Sequence, residues 1–196
     1  MRAHGMKRQT GFNLIELMVA ITLGMIVILG AEKIYLTTLA ANVSGAKTQR
    51  FEQTLQVLSN EMVTEIRRAG YANPGVTLTP ASGSKYYYPQ GSCITFSHSL
   101  PETPDASAVN EVFYGYRLAS STIYYWNSTS GHGNCGTTSN WKAITDPAHI
   151  KITSLSFTAS GTALVAINLQ ADAVNLTTPS GGAISRNVTS YVRVRN

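Results

Sequence analysis

The chain has 196 residues, of which 43% are hydrophobic and 13% are charged. This length and composition predict one anchored domain and argue against two. The formal net charge is +5, but three basic and no acidic residues lie among the first eleven, which leaves twelve Lys and Arg against ten Asp and Glu, a net of +2. Bulk charge therefore gives no support for nucleic-acid binding.

An apolar run fills residues 12–31, and Glu16 is its only ionisable side chain. Twenty helical residues span about 30 Å, which is the thickness of the hydrocarbon layer of a bilayer. Arg2, Lys7 and Arg8 precede the run, so we expect the amino terminus to stay in the cytoplasm and the remainder to be exported. A carboxylate inside a membrane helix costs about 2.5 kcal/mol or more, so we expect Glu16 to have a partner.

Two ordinary explanations compete for this segment. One is a secretory signal peptide, for which Thr38-Leu39-Ala40 is a weakly permissive cleavage site. The other is a single-span anchor that is never processed. Neither accounts for a glycine and a phenylalanine followed four residues later by Glu16.

The stretch GFNLIELMVA, residues 11–20, closely resembles the type IV prepilin cleavage and methylation signature. The resemblance implies that a prepilin peptidase cuts between Gly11 and Phe12 on the cytoplasmic side and methylates the new amine of Phe12. It also implies that Glu16, then the fifth mature residue, acts in assembly. A buried carboxylate can be paired there with the N-terminal ammonium of a neighbouring subunit. Met6 offers an alternative start to Met1.

Beyond the apolar run, hydrophobic residues recur at spacings of three and four, which is typical of one face of an amphipathic helix. They are Phe51, Leu55, Leu58, Met62, Ile66 and Ala69. Gly70 is a natural helix end, and Asn73-Pro74-Gly75 prevents continuation. The pattern predicts one near-continuous helix over residues 13–69.

The second half of the chain has the composition of strands and turns. We predict strands over residues 111–118, 121–127, 149–158, 163–171 and 187–195, because β-branched and aromatic residues alternate there. Residues 76–109 are predicted to be irregular, with one short strand at most. The fold class is therefore α+β, with a long helix packed on an antiparallel sheet.

Short motifs in the second half extend the resemblance. Residues 66–71, IRRAGY, resemble the helix end of PilW-type minor pilins, and residues 114–118, YGYRL, are similar to a strand these proteins share with J-type pseudopilins of type II secretion. Residues 141–146, Ile152 and Arg195-Asn196 fit the same pattern. The resemblance implies a type IV pilin fold with four parts: a leader over 1–11, a transmembrane or filament-core helix over 12–31, an amphipathic helix over 32–70 and a β-rich head over 71–196.

Both cysteines, Cys93 and Cys135, lie in the portion expected to be exported. An oxidising periplasm favours a disulfide between them, which would stabilise the domain by about 3–4 kcal/mol. Two unpaired thiols are the alternative. A metal site is disfavoured, because His132 lies near Cys135 but no second cluster completes a ligand set.

No catalytic motif is present in the sequence, so we expect no enzyme activity, no cofactor and no metal. The four histidines are each expected at the surface or in loops; they are His4, His98, His132 and His149. Glu61 and Glu65 lie one helical turn apart, as an acid pair would, but we favour pairing of Glu65 with Arg67 or Arg68 on the helix surface.

Two further clusters invite a binding hypothesis. Tyr86-Tyr87-Tyr88 with Lys85 could form an aromatic patch, although packing of these rings over a sheet edge is the favoured interpretation. Three arginines near the carboxyl terminus could line one side of a strand as a phosphate track; they are Arg186, Arg193 and Arg195.

The resemblance implies a structural role as a minor pilin that helps initiate or cap a type IV pilus (fimbrium), in twitching motility or adhesion. Its implied partners are the prepilin peptidase, other minor pilins, the major pilin and the pilus assembly platform. Its implied location is the inner membrane and then the cell-surface pilus. Two alternatives stay open: a minor pseudopilin at a type II secretion tip, and a DNA-uptake (competence) minor pilin that binds nucleic acid through Arg and aromatic side chains.

Overall fold

The structure is a computed structural model that describes residues 13–74, 76–100, 111–161, 163–177 and 181–194, without the side chain of residue 177. The chain divides into two compact units, Met1–Ala46 and Lys47–Asn196. One α-helix, α1, runs over Leu14–Arg67. The predicted long N-terminal helix is therefore confirmed.

The first unit is helical from Leu14 to Ala46, and Asn13 before it is described but not helical. Its large apolar side chains are exposed on every side of the helix. A helix that is hydrophobic all round suits an apolar environment better than water. The first unit therefore supplies a segment that needs a lipid or protein partner.

In the second unit, α1 is one-sided. The predicted apolar face is buried, as shown by Phe51, Leu55, Leu58, Met62 and Ile66. These residues share the core with both sheets of the head. Burial of one such side chain contributes about 1.5–3 kcal/mol, so this face is the main source of adhesion between the helix and the head.

The helix ends as the sequence predicts. The Arg68 and Ala69 amides donate to carbonyls three residues back, which tightens the last turn. Gly70 has a φ of 80°, a conformation that favours glycine. Its amide donates to the Ser97 carbonyl, so the end of α1 is tied directly to the head.

The described residues of the head form eight strands in two antiparallel sheets. Their bounds are β1 Tyr87–Gln90, β2 Cys93–Ser99, β3 Glu111–Ala119, β4 Thr122–Ser128, β5 Lys142–Ala143, β6 Ile150–Ser160, β7 Leu164–Thr177 and β8 Ala183–Arg193. The first five strands form one sheet in the order β1-β2-β3-β4-β5, and the last three form the second in the order β6-β7-β8. The predicted antiparallel architecture is confirmed, and its division into two sheets is an addition.

Strand β6 joins the two sheets. The Phe157 amide donates to the Gly91 carbonyl at 2.7 Å, and the Ile152 amide donates to the Ser121 carbonyl at 3.1 Å. Both acceptors belong to turns of the five-stranded sheet, so the outer edge of β6 is partly covered. The inner side chains of this second sheet, such as Ile167 and Leu169, are fully buried.

The connection between β3 and β4 is a two-residue turn, Ser120-Ser121. Both serines have positive φ, at 48° and 62°, which is the backbone conformation of a type I′ hairpin turn. The sequence analysis placed this link at residues 119–120, one residue too early. Serine replaces the usual Asn-Gly signal there, which explains the shift.

Two predictions about strands were wrong. Residues 76–100, the described part of the region predicted to be irregular, contain two strands, β1 and β2, and all seven residues of β2 are buried. The sequence pattern did not predict this central strand, because its polar residues interrupt the alternation of apolar side chains that is typical of a strand. These residues are Thr95, Ser97, His98 and Ser99. Strand β7 also continues to Thr177, and β8 begins at Ala183; Asp172 and Asn175 disfavoured a strand on propensity.

Candidate functional site

The first turn of α1 carries the carboxylate that the sequence analysis singled out. Glu16 is exposed, and its amide donates to the Asn13 carbonyl at 3.0 Å. Among residues 13–31 it is the only ionisable side chain. No described residue bonds its carboxylate. The prepilin cleavage pair, Gly11 and Phe12, lies outside the described residues.

The described threonine hydroxyls of the first unit are satisfied within the helix. The Thr22 hydroxyl donates to the Met18 and Val19 carbonyls at 3.1 and 2.9 Å. The Thr37 hydroxyl bonds the carbonyls of Lys33 and Ile34 in the same way. Internal satisfaction of this kind allows a hydroxyl to enter an apolar environment. By length and composition alone, α1 is able to cross a membrane.

At the other end of α1, a polar cluster fixes the helix to the head. Glu65 lies 3.3 Å from Arg68, measured from Oε1 to Nη1, as the sequence analysis favoured. Its second oxygen, Oε2, lies 3.7 Å from Nε2 of His98. The Tyr114 ring stacks on the imidazole with ring centres 4.8 Å apart. The pKa of Glu65 is lowered, mainly by the facing His98 side chain and further by Arg68, while burial opposes the shift.

The expectation that every histidine lies at the surface or in a loop was wrong for His98. This residue is fully buried in β2. Its Nδ1 lies 2.9 Å from the Ser99 carbonyl, which only accepts, so Nδ1 carries a hydrogen. His98 thus belongs to the junction between helix and sheet.

The remaining described histidines occupy loops. His132 lies edge-on to Phe113, and burial lowers its pKa. His149 is exposed and pairs with Asp146 at 3.0 Å. His4 lies outside the described residues. No group of three or more His, Cys, Asp or Glu side chains that could hold a metal occurs among the described residues.

Cys93 and Cys135 are joined in a disulfide, with Cα atoms 5.9 Å apart and a separation of 42 positions in sequence. The bond ties the long loop after β4 to the start of β2. Trp126 and Trp141 pack on each other in the same region, with ring centres 5.7 Å apart. A Cβ at Gly133 would lie 2.7 Å from Trp141, so glycine is required where the loop crosses these rings.

The tyrosine cluster and the arginine cluster, for which binding was considered, mostly make contacts within the second unit. Tyr87 is buried in the edge strand β1, and only Tyr88 of the three tyrosines is strongly exposed. Arg186 donates from Nε to Oε1 of Glu52 on α1 at 2.7 Å. Arg193 is exposed, and Arg195 lies outside the described residues.

Comparison with known proteins identifies the family. Residues 6–31 match the prokaryotic N-terminal methylation motif. Residues 44–194, most of the chain, match the family model of prepilin peptidase-dependent protein B. The chain belongs to the prepilin peptidase-dependent protein B family. The resemblance to minor pilins is thus confirmed, and members of this family are pilin-like structural proteins and not enzymes.

One solved structure is similar to this member of the prepilin peptidase-dependent protein B family. It is a type IV-like pilin from Thermus thermophilus, with 12% identity and a TM-score of 0.46, over 74% of this chain and 96% of that one. No curated protein matches the chain. Dependence on prepilin peptidase and an apolar N-terminal helix are consistent with membrane anchoring followed by assembly with pilus components.

Proposed function

We propose that this chain is a minor pilin that helps initiate or cap a type IV pilus. The N-terminal methylation motif over residues 6–31 carries the proposal, because a chain processed at that motif is made for assembly. Prepilin peptidase would cut between Gly11 and Phe12 and methylate the new amine of Phe12. The protein would first sit in the inner membrane, with its amino terminus in the cytoplasm and its head in the periplasm.

Glu16 is the residue that we assign to assembly. It is one carboxylate in an otherwise uncharged apolar segment, and no described residue bonds it. Such a group is stable in an apolar environment when a cation faces it. The mature N-terminal ammonium of a neighbouring pilin supplies that cation, so the pair would select and align subunits as they leave the membrane.

The head provides the contacts that distinguish this subunit from others. Its core and the Glu65–His98 junction hold α1 on the sheets, so the head and the second half of the helix would move as one piece. The DNA-uptake hypothesis gains no specific support, because Tyr87 is buried and Arg186 is paired with Glu52.

Substitution of the assembly carboxylate tests the proposal. Glu16→Ala should leave cleavage intact, since the cut lies five residues earlier, but should reduce incorporation into sheared pili. Loss of one partner of a buried ion pair costs about 3–5 kcal/mol, so we expect a fall of more than about tenfold. The measurement is an immunoblot of membrane and sheared fractions.

Glu32→Ala is the matched control, because Glu32 is a carboxylate on the same helix beyond the apolar run. It should incorporate normally. Normal incorporation of Glu16→Ala would contradict the proposed role of Glu16, and an uncleaved Glu16→Ala chain would show that the residue acts in processing.

A further inference from the structure

Strand β8 is the one long open sheet edge among the described strands. It ends the three-stranded sheet, pairs with β7 on one side and runs for eleven residues. The edges of the other sheet are short: β1 has four residues and contains Pro89, and β5 has two. The outer edge of β6 is met by Gly91 and Ser121 of the five-stranded sheet.

The register shows which backbone groups of β8 face outward. The Val194 amide donates to the Ala163 carbonyl, so this is a hydrogen-bonded pair. In an antiparallel ladder such pairs alternate with non-bonded pairs, and the register from Leu164↔Arg193 to Asp172↔Ser185 is unbroken. The outward residues are therefore Ser185, Asn187, Thr189, Tyr191 and Arg193.

The side chains of these five residues are also exposed. The intervening residues face the helix: Val192 is fully buried, and the Ser190 hydroxyl lies 2.8 Å from that of Ser59. Five outward N–H groups and five outward C=O groups thus line an edge of about 30 Å. Tyr191 is 67% exposed on the same side.

This edge lacks the usual protection against strand addition. Proteins blunt long edges with proline, lysine, bulges or inward-facing charges that keep other strands away. Between Ser185 and Arg193 there is no proline, no lysine and no register shift. Arg186 faces inward, but its charge is paired with Glu52. Such an edge is suited to accept another strand.

We propose that β8 receives an extended segment of a different pilin-like chain as a ninth strand of the head. This inference rests on the proposed function as a pilus subunit. Charge favours a different chain over a second copy: β8 contains two arginines and no acidic residue, so a second β8 would offer no carboxylate to Arg193. A partner strand with a carboxylate near Arg193 is complementary.

The helix beside the edge indicates what the inner face of that segment should be. Glu52 and Ser59 contact β8, and Gln56 and Asn60 come next around α1 on that side and are exposed. The incoming strand would lie against these two amides. Its inner face should therefore be polar and uncharged, while its backbone supplies most of the binding.

This inference is tested with backbone and charge substitutions in the full-length chain, expressed in the organism that produces the protein. A photo-crosslinking p-benzoylphenylalanine replaces Tyr191, and the crosslinked peptide is identified by mass spectrometry. Thr189→Pro removes one outward N–H of β8. Thr189→Ala is its matched control, because it keeps that N–H and, like the proline variant, loses the hydroxyl contact with Asn168. We expect Thr189→Pro to reduce the adduct by about fivefold or more relative to Thr189→Ala.

Two charge-reversal variants test the inference if Thr189→Pro does not accumulate as folded protein with its disulfide formed. Arg193→Glu should reduce the adduct several-fold, while Lys151→Glu, a reversal at another exposed cation, should not. An adduct within an extended segment of another pilin-like subunit is the expected result. An absent adduct, an adduct to a second copy, or an adduct unchanged by both edge variants would overturn the inference.

The outcome separates this inference from the proposed function. If Glu16→Ala blocks incorporation and no adduct forms, the inference about β8 fails alone. If the adduct forms as expected while Glu16→Ala assembles normally, the proposed role of Glu16 fails alone.

Discussion

His98 and Glu65 form the most consequential side-chain contact in the head. The imidazole has 1% of its side chain exposed, and Oε2 of Glu65 faces its Nε2. Neither atom has another partner among the described residues. Nδ1 donates to the Ser99 carbonyl, so Nε2 is the ring nitrogen that faces the Glu65 carboxylate across 3.7 Å. The end of α1 is thereby held to β2 by a charged or strongly polar pair.

The lowered pKa of Glu65 predicts a pH-dependent contribution to the stability of the head. A carboxyl group whose pKa is lowered by folding stabilises the protein at pH values above its ordinary pKa of 4.5, and this effect is lost as the pH falls through the folded pKa. Glu65→Gln should therefore unfold at a lower temperature than wild type near neutral pH, and the gap should narrow as the pH falls below 4.5 and through the lowered pKa of Glu65.

The measurement is thermal unfolding followed by circular dichroism over a series of pH values. Glu61→Gln is the matched control, because Glu61 lies one turn earlier and is exposed. Its effect should be small at every pH. A Glu65→Gln deficit that stays constant from neutral to acidic pH would contradict the assigned ion pair.

At the scale of elements, the disulfide has the largest expected effect, because it connects the start of β2 to the long loop between β4 and β5. Closing a loop of 42 residues restricts the unfolded chain and stabilises the fold by about 3–4 kcal/mol in the chain-entropy model. Cys93→Ser with Cys135→Ser should lower the free energy of unfolding by that amount, measured by urea denaturation.

Reduction of the wild-type head supplies the control for the serine side chains and should give the same loss. Equal stability of oxidised, reduced and serine-substituted protein would show that the Trp126–Trp141 packing holds the loop without the bond.

Helices and strands differed in how far the sequence predicted them. The period of three and four from Phe51 to Ile66 predicted the buried face of α1, because one-sided burial leaves a clear pattern on a helix. The hairpin strands β3 and β4 carry β-branched and aromatic residues and were also predicted. Glu65 and Arg68 were paired correctly, since they are close in sequence.

The parts that failed depend on contacts distant in sequence. Strand β2 is buried because β1 and β3 flank it and α1 covers it. The burial of polar residues such as Ser97 and His98 could not be predicted from the sequence of β2 itself. The continuation of β7 to Thr177 depends on pairing with β8. The partnership of His98 with Glu65 joins residues 33 positions apart, so sequence reasoning missed this site.

The whole molecule combines two kinds of surface. The described part of the first unit exposes apolar side chains, with Glu16 the only ionisable residue over 13–31, whereas the second unit has its own core, a disulfide and an open strand edge. The first surface suits a membrane and then a helical bundle; the second suits specific contact with other subunits. A subunit of this design acts by joining other subunits, which agrees with its family.

Deletion of the gene in a retraction-deficient host tests the central claim most directly, with sheared surface pili quantified by immunoblot of the major pilin. Retraction cannot remove pili in that background, so any loss reports assembly. The account predicts a strong loss of pili that the wild-type gene restores and the Glu16→Ala gene does not. Unchanged pili in the deletion strain would contradict a role in pilus initiation.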